Sequence, residues 1–286
     1  MVNILITGAS GFLGSAIINK LSNNQYRFFY IVRKKSNLSR LKKNNKNKKI
    51  IFEEKKIETI LKKKKIDLII HCATNYGIKD TDISNIIQSN LVLPLKLLSF
   101  AKKYKVKRFI NTDTILKKNI SFYTLSKFQF NEWFNVYSND LFCCNVKIEH
   151  FFGPRDNPTK FIIYLIKNIL KRKKIKLTKG NQKRDFIFID DVVNAINKII
   201  EYSLTKKKGK EIFEIGIGKP ISIKNLGLLI IKLAKRKKNL LNFGALPYRK
   251  NEPMNIKVNT RKLKRLGWKP LYSLKESLEK TINYYK

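Results

Sequence analysis

The chain has 286 residues, 43% of them hydrophobic, and a formal net charge of +42 from 62 Lys and Arg against 20 Asp and Glu. That length buries a sizeable core in one large domain or two small ones, and no apolar run approaches the length that spans a bilayer. The lysines are spread along the whole chain and greatly outnumber the arginines that make most bidentate base contacts, so the charge reads as a lysine- and asparagine-rich drift, suited to anionic small substrates, and not as a nucleic-acid interface.

The chain opens with a short β-branched apolar run, VNILIT (2–7), the pattern of a buried strand. It has neither a basic lead nor a small-residue cleavage site after it, so it is not a signal peptide. The three cysteines, Cys72, Cys143 and Cys144, show no metal-ligand spacing and no disulfide arithmetic. A cytoplasmic protein without a metal or a membrane partner is expected. A glycine-rich turn and a helix pattern to about Leu21 follow the first strand, then a second strand, RFFYIVR (27–33), and a polar loop over 34–49. KIIF is a short strand, 54–65 a short helix, DLIIHCA (67–73) a strand, and 82–104 a long helix that Pro94 is expected to kink. VKRFINT (106–112) is a strand, 122–138 a helix and CCNVKIEHFF (143–152) a further strand. Parallel strands need helical crossovers, so this alternation predicts an α/β fold with a doubly wound parallel sheet of Rossmann type over residues 1–153. After Gly153-Pro154 the pattern loosens into helices at 159–172, 191–203 and 222–235 between the strands IKLT, DFIFID and IFEIG. Residues 154–286 are therefore expected to form a smaller portion interleaved with the first.

Gly8, Gly11 and Gly14 lie between the first strand and the first helix, with Phe12 and Leu13 opening that helix. Glycines allow a tight turn and a close backbone approach to a pyrophosphate, and a helix N-terminus offers free N–H groups. The spacing G-x-x-G-x-x-G in that context predicts a dinucleotide site. An acidic residue ending the second strand would bind the ribose of NAD; here Arg33 stands there, followed by Lys34 and Lys35, which favours NADP(H) and leaves NAD possible. Farther on, NTDTILKKNISFYTLSK contains Tyr123 and Lys127 one helical turn apart, a pair that says little by itself in so lysine-rich a chain.

Taken in order, TGASGFLG, DLIIHCAT, SNLVLPLKLL, RFINTDT, YTLSK, FFGPRD, GNQKRDFIFIDDV, FEIGIGKPISI and LGWKP resemble the extended short-chain dehydrogenases/reductases, in the NAD(P)-dependent epimerase/dehydratase group acting on nucleotide sugars. The likeness covers essentially the whole chain, and within the group it is greatest to the CDP-abequose and CDP-paratose synthases. What the resemblance implies is an NADPH-dependent reductase of a nucleotide-linked 4-keto-deoxy sugar for O-antigen synthesis, with residues 154–286 mainly binding the substrate. A 4-epimerase with bound NAD, and a non-catalytic NADP- or nucleic-acid-binding protein, stay open as alternatives. By the resemblance, Tyr123 exchanges the proton, Lys127 lowers its pKa and holds the nicotinamide ribose, and Thr112 bonds the same sugar oxygen, with Thr114 as a substitute. Asp113 is left without the second carboxylate of the 4,6-dehydratases and is assigned to the substrate. Ala73 and Thr74 match a cofactor-lining turn and Asn90 a residue supporting the site beside the cofactor. His150 stands where many relatives have an asparagine touching the substrate diphosphate, and Arg184 matches the arginine that clamps it. His71 is read as structural, and Asp190 and Asp191 as caps of the next helix. Relatives of this kind dimerise through two helices per subunit, here 82–104 and 122–138. The aromatics Phe130, Trp133, Phe134 and Tyr137 exceed what one helix face needs for its own core.

Overall fold

The computed structural model describes residues 1–23, 25–77, 82–250 and 252–286 and divides into two compact units, Met1–Lys147 with Ala195–Phe213, and Ile148–Asn194 with Glu214–Lys286. The first unit is built on strand β1 (Val2–Thr7), helix α1 (Phe12–Leu21), β2 (Tyr26–Val32), β3 (Lys48–Ile51), α2 (Glu54–Lys63) and β4 (Leu68–His71). It continues through α3 (Ile83–Ile87), α4 (Leu93–Lys103), β5 (Arg108–Thr114), α5 (Phe122–Tyr137) and β6 (Phe142–Ile148). The second unit holds β7 (His150–Phe152), α6 (Phe161–Leu170), β8 (Ile175–Leu177), β9 (Lys183–Arg184) and β10 (Phe186–Phe188). Helix α7 (Ile189–Leu204) and strand β11 (Gly209–Ile215) carry the chain into the first unit and out again. The second unit then closes with β12 (Ile221–Ser222), α8 (Ile223–Leu233), β13 (Leu241–Phe243), α9 (Arg261–Arg265) and α10 (Leu274–Tyr285).

Seven strands form one sheet in the order β11-β6-β5-β4-β1-β2-β3. The pairings of β1 with β2 and β4, of β2 with β3 and of β4 with β5 are parallel. This is the doubly wound arrangement expected from the alternating pattern, and the strand order reverses between β1 and β4, the place where such sheets open a crevice. Strands β1 and β4 are buried almost throughout, as their unbroken apolar runs require. Leu5, Phe29, Ile69, Phe109, Phe130 and Phe134 belong to one core cluster of this unit. Arg108 ties the end of α7 to the sheet: its Nε donates to the carbonyls of Ser203 and Lys206, at 2.9 and 3.0 Å, and its Nη2 to that of Leu204, at 2.8 Å. A cation placed on terminal carbonyls is the favourable end for a helix dipole.

Several elements differ from their sequence expectation. The long helix at 82–104 is interrupted by a π turn over Gln88–Val92, where Leu93 N–H reaches back to Gln88 C=O, and α4 starts with Pro94 in its first turn. Proline has no N–H to give and its ring crowds the preceding turn, so the helix widens just ahead of it. The run 143–152 is two strands: Glu149 N–H donates to Ile215 C=O at 3.0 Å, and His150–Phe152 pair with β10 in another sheet. Asp190 and Asp191 lie inside the first turn of α7 and not ahead of it. Asp191 Oδ1 accepts from Leu271 N–H at 2.6 Å, and its carbonyl from Trp268 Nε1 at 3.3 Å, so it anchors the LGWKP segment. Helices α9 and α10 had no counterpart in the reading of the sequence, although Ser273 and Glu276 form a capping box at the start of α10. Among the described residues no helix is long and apolar enough to cross a membrane.

Candidate active site

The glycine loop sits at the switch between β1 and β4. Gly8 has φ +67°, and a Cβ there would lie 2.5 Å from Ala73 N; a Cβ on Gly14 would lie 2.3 Å from Gly8 O. Both positions demand glycine, the first for its backbone angle and the second for the closeness of two chain segments. Gly11 is the N-cap of α1 and brings no side chain to cap it, and Phe12 and Leu13 open the first turn beside the loop. Thr7 links the two strand ends, its Oγ1 2.8 Å from His71 Nδ1 and accepting from Ala73 N–H at 3.3 Å. These residues fit a dinucleotide pyrophosphate. Arg33, Lys34 and Lys35 are exposed just past β2, where a tight turn joins Arg33 and Ser36. His71 is fully buried, and burial first, with the charge of Lys127 second, holds its imidazole well below the usual histidine range.

Asn90, on the π turn, is also fully buried. Its Oδ1 accepts from Asn75 N–H at 2.9 Å, and its Nδ2 donates to Asn75 C=O at 2.8 Å and to Ser126 Oγ at 3.1 Å. It therefore ties the loop after Ala73 and Thr74 to helix α5. Ser126 Oγ in turn donates to the carbonyl of Tyr123 at 2.8 Å. Helix α5 begins with a capping box of Ser121 and Thr124, which places Tyr123 in its first turn. Lys127 follows one turn on, 1% exposed, and donates from Nζ to Thr112 C=O at 2.8 Å.

Strand β5 runs two residues beyond its predicted end, to Thr114. Thr112 and Thr114 share a face of the strand. Thr112 Oγ1 donates to His71 C=O at 3.0 Å, inside the sheet. The Thr114 hydroxyl, which accepts from Leu116 N–H at 3.2 Å, is near enough to the Tyr123 phenol to pull its pKa down. The ring of Tyr76 stands 5.0 Å from that of Tyr123 and is half exposed. The phenol of Tyr123 is held well above 10, by burial first and then by Tyr76 and Asp113, with the Thr114 hydrogen bond pulling the other way. The net direction is opposite to the sequence expectation for the unliganded chain, because burial of a phenolate and a nearby carboxylate both favour the neutral form. Lys127 is lowered by burial, against which Asp113 and Cys72 act to raise it.

Asp113 does not project freely. Its Oδ1 accepts from Thr114 N–H at 2.7 Å and its Oδ2 from Asn145 Nδ2 at 2.6 Å. Reasoning from the sequence missed Asn75, Tyr76 and Asn145. The signal for Asn145 was present, since an amide inside the apolar run FCCNV has to find a partner when buried.

In the second unit, Arg184 is buried and paired with Glu252, while its Nη1 donates to Lys183 C=O at 2.8 Å. His150 is exposed, with Nδ1 2.9 Å from Oε1 of the buried Glu149 and its ring edge-on to Phe186 at 5.6 Å. Asp185 is buried beside them. Burial and then Glu149 push its carboxyl up, against hydrogen bonds from Gly218 and Ile217 N–H.

The model of the NAD dependent epimerase/dehydratase family matches residues 4–216. The chain belongs to that family. This membership makes the protein an NAD(P)-dependent enzyme of nucleotide sugars. A CDP-abequose synthase of Salmonella typhimurium is 34% identical over 98% of this chain and 97% of its own length. Among solved structures, a UDP-glucose 4-epimerase of Thermotoga maritima determined with UDP-glucose superposes with a TM-score of 0.87, at 23% identity over 99% of this chain and 98% of that one. A dTDP-glucose 4,6-dehydratase of Bacillus anthracis in complex with NAD gives a TM-score of 0.86, at 20% identity over 100% and 96%. At such identities the two structures establish the shared fold of this epimerase/dehydratase member and nothing finer.

Proposed function

We propose that this member of the family is a reductase of a nucleotide-linked 4-keto-deoxy sugar, of the type CDP-4-keto-3,6-dideoxyglucose, with NADPH as its preferred reductant. The observation that carries the reading is the condition of the Tyr123 site. The phenol is held protonated, a hydroxyl acts on it, and the neighbouring carboxylate among the described residues, Asp113, is turned into hydrogen bonds with Asn145 and Thr114. A protonated phenol is a proton donor, which reduction of a carbonyl needs, whereas loss of water between two sugar carbons calls for a second acid or base. The full-length likeness to the Salmonella CDP-abequose synthase supports the same choice.

A bound nicotinamide supplies the hydride. Tyr123 delivers the proton to the sugar oxygen, and Thr114 steadies the negative charge that develops there. Thr112 serves through its backbone, holding Lys127 with its carbonyl. Gly8, Gly11, Phe12, Leu13, Gly14, Ala73 and Thr74 line the cofactor, and Arg33 at the end of β2 favours the 2′-phosphate of NADP(H). Arg184 and His150 receive the nucleoside diphosphate, which exchanges with Glu252 on the guanidinium. The enzyme acts in the cytoplasm as a homodimer. Ile83 and Ile87 of α3 and Phe122, Leu125, Trp133 and Val136 of α5 are exposed apolar residues on neighbouring helices, suited to a second copy.

The test is incubation with CDP-4-keto-3,6-dideoxyglucose and NADPH, following nicotinamide absorbance and identifying the product. Stoichiometric NADPH loss that falls at least about a hundredfold in Tyr123→Phe is expected from removal of the general acid. Tightly co-purified NAD with sugar interconversion and no net oxidation would point to the epimerase instead.

A further inference from the structure

The reductase reading leaves unused a line of three buried side chains next to the site. Asn111 Nδ2 donates to Asn145 Oδ1 at 2.8 Å, and Asn145 Nδ2 donates to Asp113 Oδ2 at 2.6 Å. Both amides thus turn their donors toward one carboxylate, whose other oxygen takes the Thr114 N–H. Asn111 and Asn145 are wholly buried and Asp113 nearly so. Polar groups at that depth are costly unless paired; Asn111 Oδ1 has no partner among the described residues, and the paired donors hold the carboxylate in a single orientation.

A buried carboxylate also needs an opposite charge. Lys127 supplies one from nearby without a direct ion pair. It is buried, its ammonium is hydrogen-bonded to the neutral carbonyl of Thr112, and that carbonyl directly precedes Asp113 in the chain. Asp113 favours the charged lysine against the burial that opposes it. Toward Tyr123 the same carboxylate favours the neutral phenol. The other groups around the pair that the structure describes are neutral. His71 is kept uncharged by burial, the Cys72 thiol is pushed up to about 12, Tyr76 is a phenol and Thr114 a hydroxyl.

We propose that Asp113, oriented by Asn145 and Asn111, is a positioning residue that keeps Lys127 charged and Tyr123 protonated, holding the site in the form that gives a proton to a sugar oxygen and not the form that takes one. The direction of proton transfer rests on the reductase reading; the ionisation of Tyr123 does not, and can be measured without substrate.

The experiment is a spectrophotometric titration of phenolate absorbance in the wild type and in Asp113→Asn, each read against the same protein carrying Tyr123→Phe so that the other tyrosines cancel. Loss of the carboxylate is expected to lower the pH of Tyr123 ionisation by about one unit or more. The alkaline limb of the NADPH-dependent reduction rate is expected to move down with it. Asn145→Ala, which keeps the carboxylate but frees it, should move both in the same direction by less. A folded Asp113→Asn protein whose Tyr123 ionises where the wild type does overturns the proposal. If that variant does not fold, unchanged ionisation in Asn145→Ala overturns it equally. A shifted ionisation in a protein that reduces no keto-sugar supports the role of Asp113 and removes the reductase reading on its own.

Discussion

His71 is neutral because the fold surrounds it. It lies at the end of β4 with no exposure, bonded to Thr7 and facing the charge of Lys127. Its folded pKa lies below the unfolded value of about 6.5, so between the two the unfolded chain binds the extra proton and stability falls as the pH falls. Above about pH 6.5 the group adds no pH dependence. From about pH 7.5 to 5.5 one such proton is worth about 1.4 kcal/mol. Urea melts of the wild type are expected to lose about that much more over this interval than those of His71→Gln; equal losses would mean that His71 titrates normally in the folded protein. At this scale the sequence was legible where spacing carried the meaning. Gly8 and Gly14 follow from intervals of three residues, whereas Tyr123 and Lys127 gained meaning only from the motifs around them. Which hydroxyl met the phenol was not legible, because Thr112 and Thr114 are alternatives on one strand face until the strand's end and its register against α5 are known.

Helix α5 shows how an element sets a side chain at the candidate site. The side chain of Ser121 accepts from Thr124 N–H at 3.3 Å, and Thr124 Oγ1 accepts from Ser121 N–H at 3.0 Å. The first helical turn is set by that exchange, and Tyr123 is in it. Replacing Ser121 by Ala is expected to cost about 1 kcal/mol of stability, the usual loss of an N-cap. Because the cap positions Tyr123, kcat should fall severalfold while KM for the keto-sugar changes little. Denaturant melts and steady-state kinetics on one preparation read both effects. The π turn ahead of α4 has a similar consequence. It brings Asn90 inward to the loop at Asn75 and to Ser126 on α5. Pro94 announced a disturbance in the helix, but a widened turn and a kink share that signal, and the packing of the amide chose between them.

For the whole molecule, the aromatic excess noticed in FQFNEWF divides cleanly. Phe130 and Phe134 enter the core with Phe109, and Trp133 stays exposed with Leu125 and Val136. If this face joins two copies, light scattering should give twice the chain mass for the wild type and the single chain mass for Trp133→Glu, since a buried unpaired carboxylate in an apolar interface is strongly unfavourable. A wild-type monomer would refute the dimer. The sequence by itself determined the alternating order of strand and helix, the glycine loop, the tyrosine–lysine pair and the family, all of which depend on periodicity and intervals within short stretches. The tertiary structure alone decided that Asp113 is bound by Asn145, that Arg184 is held by Glu252 and that Thr112 bonds the carbonyl of His71. Each of those depends on strands or loops coming together from separate parts of the chain, and in a buried site the cost of an unpaired polar group, which no local pattern records, selects the partners.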